Sequence, residues 1–167
     1  MDIRKLSLGF SLFLVMASAC LAQKPQSTAD TTRALFNDVD RKILAMAKDF
    51  PADKYGFRLK PEMRSFGEVL VHIAGGNVWA AKVGRGEKAK WDELDPESYP
   101  DKAAIVSMLE KTFAESEGVL KSWNDDAFAK SVEPWAEVTE HTAEHYGLLV
   151  AYYRANGMVP PESRPQK

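Results

Sequence analysis

Apolar residues recur every three or four positions along four long stretches of this chain, a spacing typical of amphipathic helices. Good helix caps stand before each stretch. The predicted starts are Asp30 or Thr31 as a cap, Ser65 with Glu68 as a capping box, Asp101 as a cap, and Pro134 at the first helical position. The predicted ends are Pro51 for the first helix, about Val83 for the second, the stretch near Trp123 for the third, and Gly157 with Pro160 and Pro161 for the fourth.

The apolar faces of these helices predict one shared core. We expect packing through Leu35, Phe36, Val39, Ile43, Val69, Leu70, Ile73, Leu109, Phe113, Leu148, Leu149 and Tyr152. No segment alternates apolar and polar residues over the length of a strand, so no sheet is predicted. The fold class is therefore all-α: a four-helix bundle over residues 30–161, with a linker over 23–29 and a disordered tail over 162–167.

The polar connections between the helices carry several aromatic residues. Tyr55 and Phe57 are expected to fold back onto the core. Trp91 and Tyr99, in a connection that is long for a compact bundle, are expected to cover one mouth of it. Asp125 is a candidate cap for one short turn before the last helix.

The first 22 residues have the layout of a secretory signal peptide. Arg4 and Lys5 form a basic start, and the uncharged run Leu6–Leu21 is short for a membrane span, which needs about 20 residues. We expect cleavage before Gln23 and export to the periplasm or the extracellular space. The alternative is a lipoprotein, anchored through a lipid on Cys20.

Composition narrows the classes of function. The length of 167 residues suits one domain, and the net charge of −2 gives no reason to expect nucleic acid or an anionic membrane as a partner. The single cysteine lies in the leader, so a cleaved chain has no disulfide and no cysteine nucleophile. A small-molecule substrate is compatible with this composition. The sequence does not decide whether the protein forms a homodimer.

Two of the three histidines are four residues apart on the apolar side of the fourth helix. His141 and His145 therefore lie one turn apart on the same face, an arrangement that helical metal sites use. His72, on the apolar second helix near Gly75 and Gly76, is the candidate third ligand. The glycine pair predicts either the close approach of a neighbouring helix or room beside a ligand. The competing interpretation treats each histidine as a hydrogen-bonded core residue.

Glu144 is a candidate for orienting one ligand imidazole from outside the metal's own shell. The motif differs from the zinc-protease signature, because the glutamate adjoins the second histidine rather than the first. No catalytic residue is assigned. Imidazole ligands suit zinc, nickel or iron, so the metal's identity stays open.

The segments RSFGEVLVHIAGGN (64–77) and EHTAEHYGLLVAYYRANGMVPP (140–161) together resemble the DinB/YfiT-like superfamily of four-helix proteins. The resemblance covers about Asp30 to Pro161 and includes His72, His141, His145 and the closing NGMVPP. It implies an up-and-down style bundle with one longer crossover, and a divalent metal held by the three histidines. Members with known activity include metal-dependent thiol transferases and a thiol-dependent isomerase that use cytosolic thiols, whereas this chain carries a leader.

Two functions follow as hypotheses. The first is an exported metal-dependent enzyme, a hydrolase or a relative of the thiol transferases. The second is a non-catalytic binding or stress-associated helical module, in which the metal is structural or absent.

Overall fold

The computed structural model describes residues 27–91 and 94–165. This part of the chain forms helices and no strand, which confirms the all-α prediction. The helices are α1 (Thr28–Asp49), α2 (Phe66–Gly84), α3 (Lys102–Lys121), α4 (Asp125–Phe128) and α5 (Trp135–Ala155). Short 3₁₀ turns occur at Ala52–Lys54, Pro96–Ser98 and Pro161–Ser163.

The predicted signal peptide over 1–22, including Cys20, lies outside the described residues. Within residues 27–91 and 94–165, no helix combines the length and the apolar character that crossing a membrane requires. The predicted cleavage before Gln23 therefore stays a prediction.

The four long helices pack in the ring order α1, α5, α2, α3, so each contacts two of the others. Helices α1 and α2 lie on one diagonal of the bundle, and α3 and α5 lie on the other. Two of the three connections between consecutive long helices, α1 to α2 and α3 to α5, therefore join helices at opposite corners of the bundle. The resemblance implied one longer crossover. This arrangement places α2, with His72, directly against α5, with His141 and His145.

Side-chain caps set the start of α2 and α3 where the sequence predicts them. The Ser65 hydroxyl accepts from the Glu68 amide at 3.3 Å, and the Glu68 carboxylate accepts from the Ser65 amide at 2.7 Å. These two bonds complete a capping box. The Asp101 carboxylate likewise accepts from the amide of Ala104 at 2.8 Å.

The start of α1 differs from the prediction. Ser27, rather than Asp30 or Thr31, is the cap, and its hydroxyl accepts from the Asp30 amide at 3.0 Å. Asp125 was predicted to cap its own short turn. Its carboxylate instead accepts from the amide of Ala29 at 2.8 Å, so a distant residue satisfies a free donor in the first turn of α1.

The boundaries of α4 and α5 shift by one position. Asn124 caps α4, because its side chain accepts from the Ala127 amide at 3.0 Å. Pro134 is the residue before α5 rather than its first helical residue. Gly157 follows the helix with φ +68°, a left-handed conformation that glycine adopts without strain.

Two clusters of buried side chains form the core. The larger one surrounds α2, which is buried over most of its length because α3 and α5 cover it from two sides. Ten of the twelve predicted core residues are buried, and Leu148 is partly buried. Leu35 is the error: it is 60% exposed. Successive residues are 100° apart around a helix axis. Leu35 therefore lies beside the buried stripe of Phe36, Val39 and Ile43 and is turned towards solvent.

Residues beyond the helices also pack onto the bundle. Tyr55 and Phe57 fold back onto the larger cluster, as predicted. Residues 162–165, assigned to a disordered tail from the sequence, here contact α1: the Arg164 guanidinium pairs with the Asp49 carboxylate, and Glu162 pairs with Arg41.

Candidate metal centre

Helix α5 presents two histidines on one face. His141 and His145 are separated by one turn, and their ring centroids lie 4.3 Å apart. Both side chains are partly buried, while Thr142 between them faces the core. The four-residue spacing has therefore produced the arrangement that the sequence predicts.

Helix α2 brings the third histidine to the same place. The Nε2 atom of His72 lies 2.9 Å from the Nε2 atom of His141, and the His72 ring centroid is 4.8 Å from that of His145. One ring nitrogen from each of the three side chains falls within 4.8 Å of the others. Among the described residues, this is the one group of three or more histidine, cysteine or carboxylate side chains close enough to bind a metal ion.

Hydrogen bonding fixes which nitrogen of His145 can act as a ligand. Its Nδ1 atom lies 2.8 Å from the backbone oxygen of His141. Because a carbonyl oxygen can only accept, Nδ1 carries the hydrogen and donates it. The lone pair of the neutral ring is then on Nε2, the nitrogen that is free to bind a metal.

Glu144, the predicted orienting residue, is exposed to solvent. One contact that orients the His145 ring comes from the carbonyl of His141, one turn earlier in the same helix. Metal sites commonly hold a ligand histidine through its second nitrogen in this way.

Gly76, the second glycine of the pair in α2, leaves room for an aromatic side chain. A Cβ atom at Gly76 would lie 2.6 Å from the indole of Trp91 and 3.2 Å from Nδ1 of His141. The Trp91 ring centroid is 4.6 Å from that of His141 and 4.9 Å from that of Trp79. The sequence predicted close approach of a neighbouring helix or room beside a ligand, whereas at Gly76 the Trp91 indole takes the space.

Trp91, predicted to cover one mouth of the bundle, covers one side of the histidines. Tyr99, predicted to share that role, packs instead against the larger core cluster. Nothing in the spacing of the sequence separates these two aromatic residues, because both lie in the same irregular connection.

A cavity of about 430 Å³ opens beside His145. Its walls include apolar side chains from both helices, Val69 and Leu148, and the charged residues Glu62 and Arg64 from the turn before α2. Tyr152 closes one end, where its hydroxyl donates to the backbone oxygen of Arg64. Sequence patterns did not predict this cavity, because it forms only where the turn meets α5.

These observations define a helical bundle with a cluster of three histidines between two adjacent helices. Residues 35–155 match the family model of the DinB superfamily. The chain belongs to the DinB superfamily, and the resemblance noted from its sequence is confirmed. A comparison with curated proteins finds no match.

Proposed function

We propose that this protein is an exported, metal-dependent enzyme of the DinB superfamily in which His72, His141 and His145 hold one divalent ion. The observation that carries the proposal is the convergence of three ring nitrogens within 4.8 Å. Membership of the superfamily supports it, because the resemblance of the sequence implies a divalent metal held by histidines at these three positions.

Three neutral imidazoles suit zinc, nickel or iron. A metal with three protein ligands keeps a coordination position open, where it can acidify a water molecule or accept a substrate thiolate. Such an ion would therefore support hydrolysis or thiol transfer.

Other groups at this site would orient a ligand, exclude water and admit a substrate. The carbonyl of His141 orients the His145 ring. Trp91 excludes water from the side of His141, since its indole occupies the space above Gly76. The cavity beside His145 has room for a small molecule. A substrate would therefore approach from the His145 side, with its apolar part against Leu148.

Export follows from the layout of the leader rather than from the fold. A periplasmic or extracellular protein would meet other thiols than the cytosolic ones used by the thiol transferases of this superfamily. Hydrolysis and transfer of a different thiol are both compatible with that setting. A lipid on Cys20 is the alternative fate of the N-terminus.

One contact favours a second candidate function. The 2.9 Å approach of His72 to His141 can be a direct hydrogen bond between two neutral rings, which would satisfy both nitrogens without an ion. The protein would then be a non-catalytic helical module, stress-associated or otherwise, whose histidines stabilise the contact between α2 and α5.

Calorimetric titration with Zn²⁺ and Ni²⁺ distinguishes the two functions. We expect one ion per chain, a severe loss of affinity in each of His72→Ala, His141→Ala and His145→Ala, and at most a mild loss in Glu144→Gln, the exposed control on the same helix. Tight binding in all three alanine variants would exclude the three-histidine site. A site that binds metal but then binds neither azide nor a small thiol would be structural rather than catalytic.

A further inference from the structure

One face of helix α2 has a gap next to the candidate metal centre. His72, Gly76 and Trp79 follow one another at spacings of four and three residues, so they lie in a row along that face. His72 is a candidate ligand, and Trp79 is a large aromatic residue. Gly76, between them, has no side chain, and the face is therefore open one turn away from His72.

Trp91 fills this gap from the connection that follows α2. A Cβ atom at Gly76 would lie 2.6 Å from Cζ2 and 2.7 Å from Cη2 of the Trp91 indole. The ring centroids of Trp79 and Trp91 are 4.9 Å apart, and 33° separates the planes of the two rings. Trp91 is thus packed against α2 at two points, the backbone at Gly76 and the indole of Trp79.

The same indole contacts a histidine on the neighbouring helix. The ring centroids of Trp91 and His141 are 4.6 Å apart, and the ring planes meet at 68°. This is an edge-to-face arrangement, which aromatic pairs prefer. Because His141 belongs to α5, the indole of Trp91 links the two helices that carry the three histidines.

This contact bears on the orientation of the His141 ring. Its Nε2 atom faces the other histidines, 2.9 Å from Nε2 of His72. Its Nδ1 atom lies beside Gly76, where a Cβ atom would approach it to 3.2 Å. With the Trp91 indole packed against it, the ring has less freedom to turn away from the cluster. The His145 ring is held in another way, by a hydrogen bond from Nδ1 to the His141 carbonyl.

We propose that Trp91 is a positioning residue of the metal centre, which holds the His141 imidazole in the orientation that metal binding requires. The inference rests on the proposed function, because it needs the three histidines to bind an ion. Trp91 supplies no ligand atom, since an indole N–H is only a donor. Its effect is to restrict the His141 side chain beforehand, so that less conformational freedom is lost when the ion binds.

Titration of the metal-free protein with Co²⁺ tests the proposal, because the visible absorption of bound Co²⁺ reports both affinity and ligand geometry. Trp91→Ala should bind one Co²⁺ about tenfold more weakly than the wild type, the lower end of the loss when an orienting partner of a ligand is removed. Its absorption bands should also change in position or intensity, because the His141 ring is less constrained. Release of Co²⁺ to an excess of chelator should be faster.

Three further variants separate positioning from a general effect on the fold. Trp91→Phe keeps an aromatic ring and should bind within about threefold of the wild type. Trp91→Leu, apolar but without a ring, should bind more weakly than Trp91→Phe, and it tests the proposal even if Trp91→Ala does not fold. The matched control is Trp123→Ala, because Trp123 is partly buried in the smaller core cluster against Phe128 and Trp135. It should be less stable in urea, with unchanged Co²⁺ affinity and absorption.

Wild-type affinity and absorption in both Trp91→Ala and Trp91→Leu would overturn the inference and leave the three-histidine site in place. An equal loss in Trp123→Ala would overturn it too, since the effect would then come from the stability of the fold. A wild-type protein that binds no Co²⁺, or tight binding in all three histidine variants, would overturn the proposed function together with the inference.

Discussion

The buried carboxyl group of Asp40 makes the stability of this protein depend on pH in a direction opposite to that of most acidic residues. Its pKa is about 8 in the folded chain and about 3.9 when unfolded. The folded state therefore binds the proton more tightly. Between these two values the unfolded state gains charge first, so the free energy of unfolding falls as pH rises.

The two pKa values set the size of the effect. Integrating proton binding from pH 5 to pH 9 gives a loss of about 4 kcal/mol in the free energy of unfolding, with a slope of ~1.4 kcal/mol per pH unit below the folded pKa. Asp40→Asn removes the titrating group and keeps the shape of the side chain. We expect this variant to be more stable than the wild type at pH 9, and to lack most of the decrease.

Urea unfolding, followed by circular dichroism at pH 5, 7 and 9 with a chelator present, measures the effect. Other shifted groups titrate outside this window. Five carboxylates have a lowered pKa and change charge mainly below pH 5: Asp30, Asp38, Asp49, Glu68 and Glu162. Three tyrosines have a raised pKa and change charge above pH 9: Tyr55, Tyr152 and Tyr153. Asp38→Asn is the control, with a pH profile that should match the wild type. Equal slopes for Asp40→Asn and the wild type would refute the reasoning.

Three further predictions concern the core, the metal centre and the N-terminus. Leu149→Ala should cost ~2–5 kcal/mol in urea unfolding, because Leu149 is fully buried, and a loss below ~0.5 kcal/mol would contradict that burial. Gly76→Ala should displace the Trp91 indole and change the near-ultraviolet circular dichroism, whereas Gly147→Ala, with open space around it, should not. N-terminal sequencing of exported protein should show a mature chain that begins near Gln23. An intact first methionine would contradict export through a cleaved leader.

Helix ends were predictable from sequence where one local signal dominates. The capping box of Ser65 and Glu68 involves only residues within one turn, so its pattern is sufficient. The start of α1 was not predictable, since Ser27, Asp30 and Thr31 are all good caps within one turn. A contact from Asp125, far along the chain, stabilises the start that Ser27 provides.

Burial on α1 shows a similar limit. Leu35 and Asp40 are the two residues whose exposure the sequence pattern misjudges most, one apolar and exposed, the other acidic and buried. Hydrophobicity alone predicts the reverse for both. The rotation of the helix against α3 and α5 decides their burial, and no periodicity within α1 reveals the angle at which its neighbours meet it.

The candidate metal site was likewise only partly predictable from the sequence. The proximity of His141 and His145 follows from helix geometry alone. The approach of His72 depends on α2 and α5 being neighbours in the bundle, which only the family resemblance indicated. Trp91 lies in an irregular connection, where neither spacing nor resemblance specifies which side chain reaches the histidines.

The packing of α1 against α5 joins the two ends of the folded chain, and it has a consequence for synthesis. The hydrogen bond from the Tyr153 hydroxyl to the Met46 carbonyl spans 107 residues. A growing chain that lacks α5 leaves one side of both α1 and α2 uncovered, so folding cannot finish until almost all of it has left the ribosome. If residues 1–22 act as the predicted signal peptide, this delay would keep the chain unfolded for export.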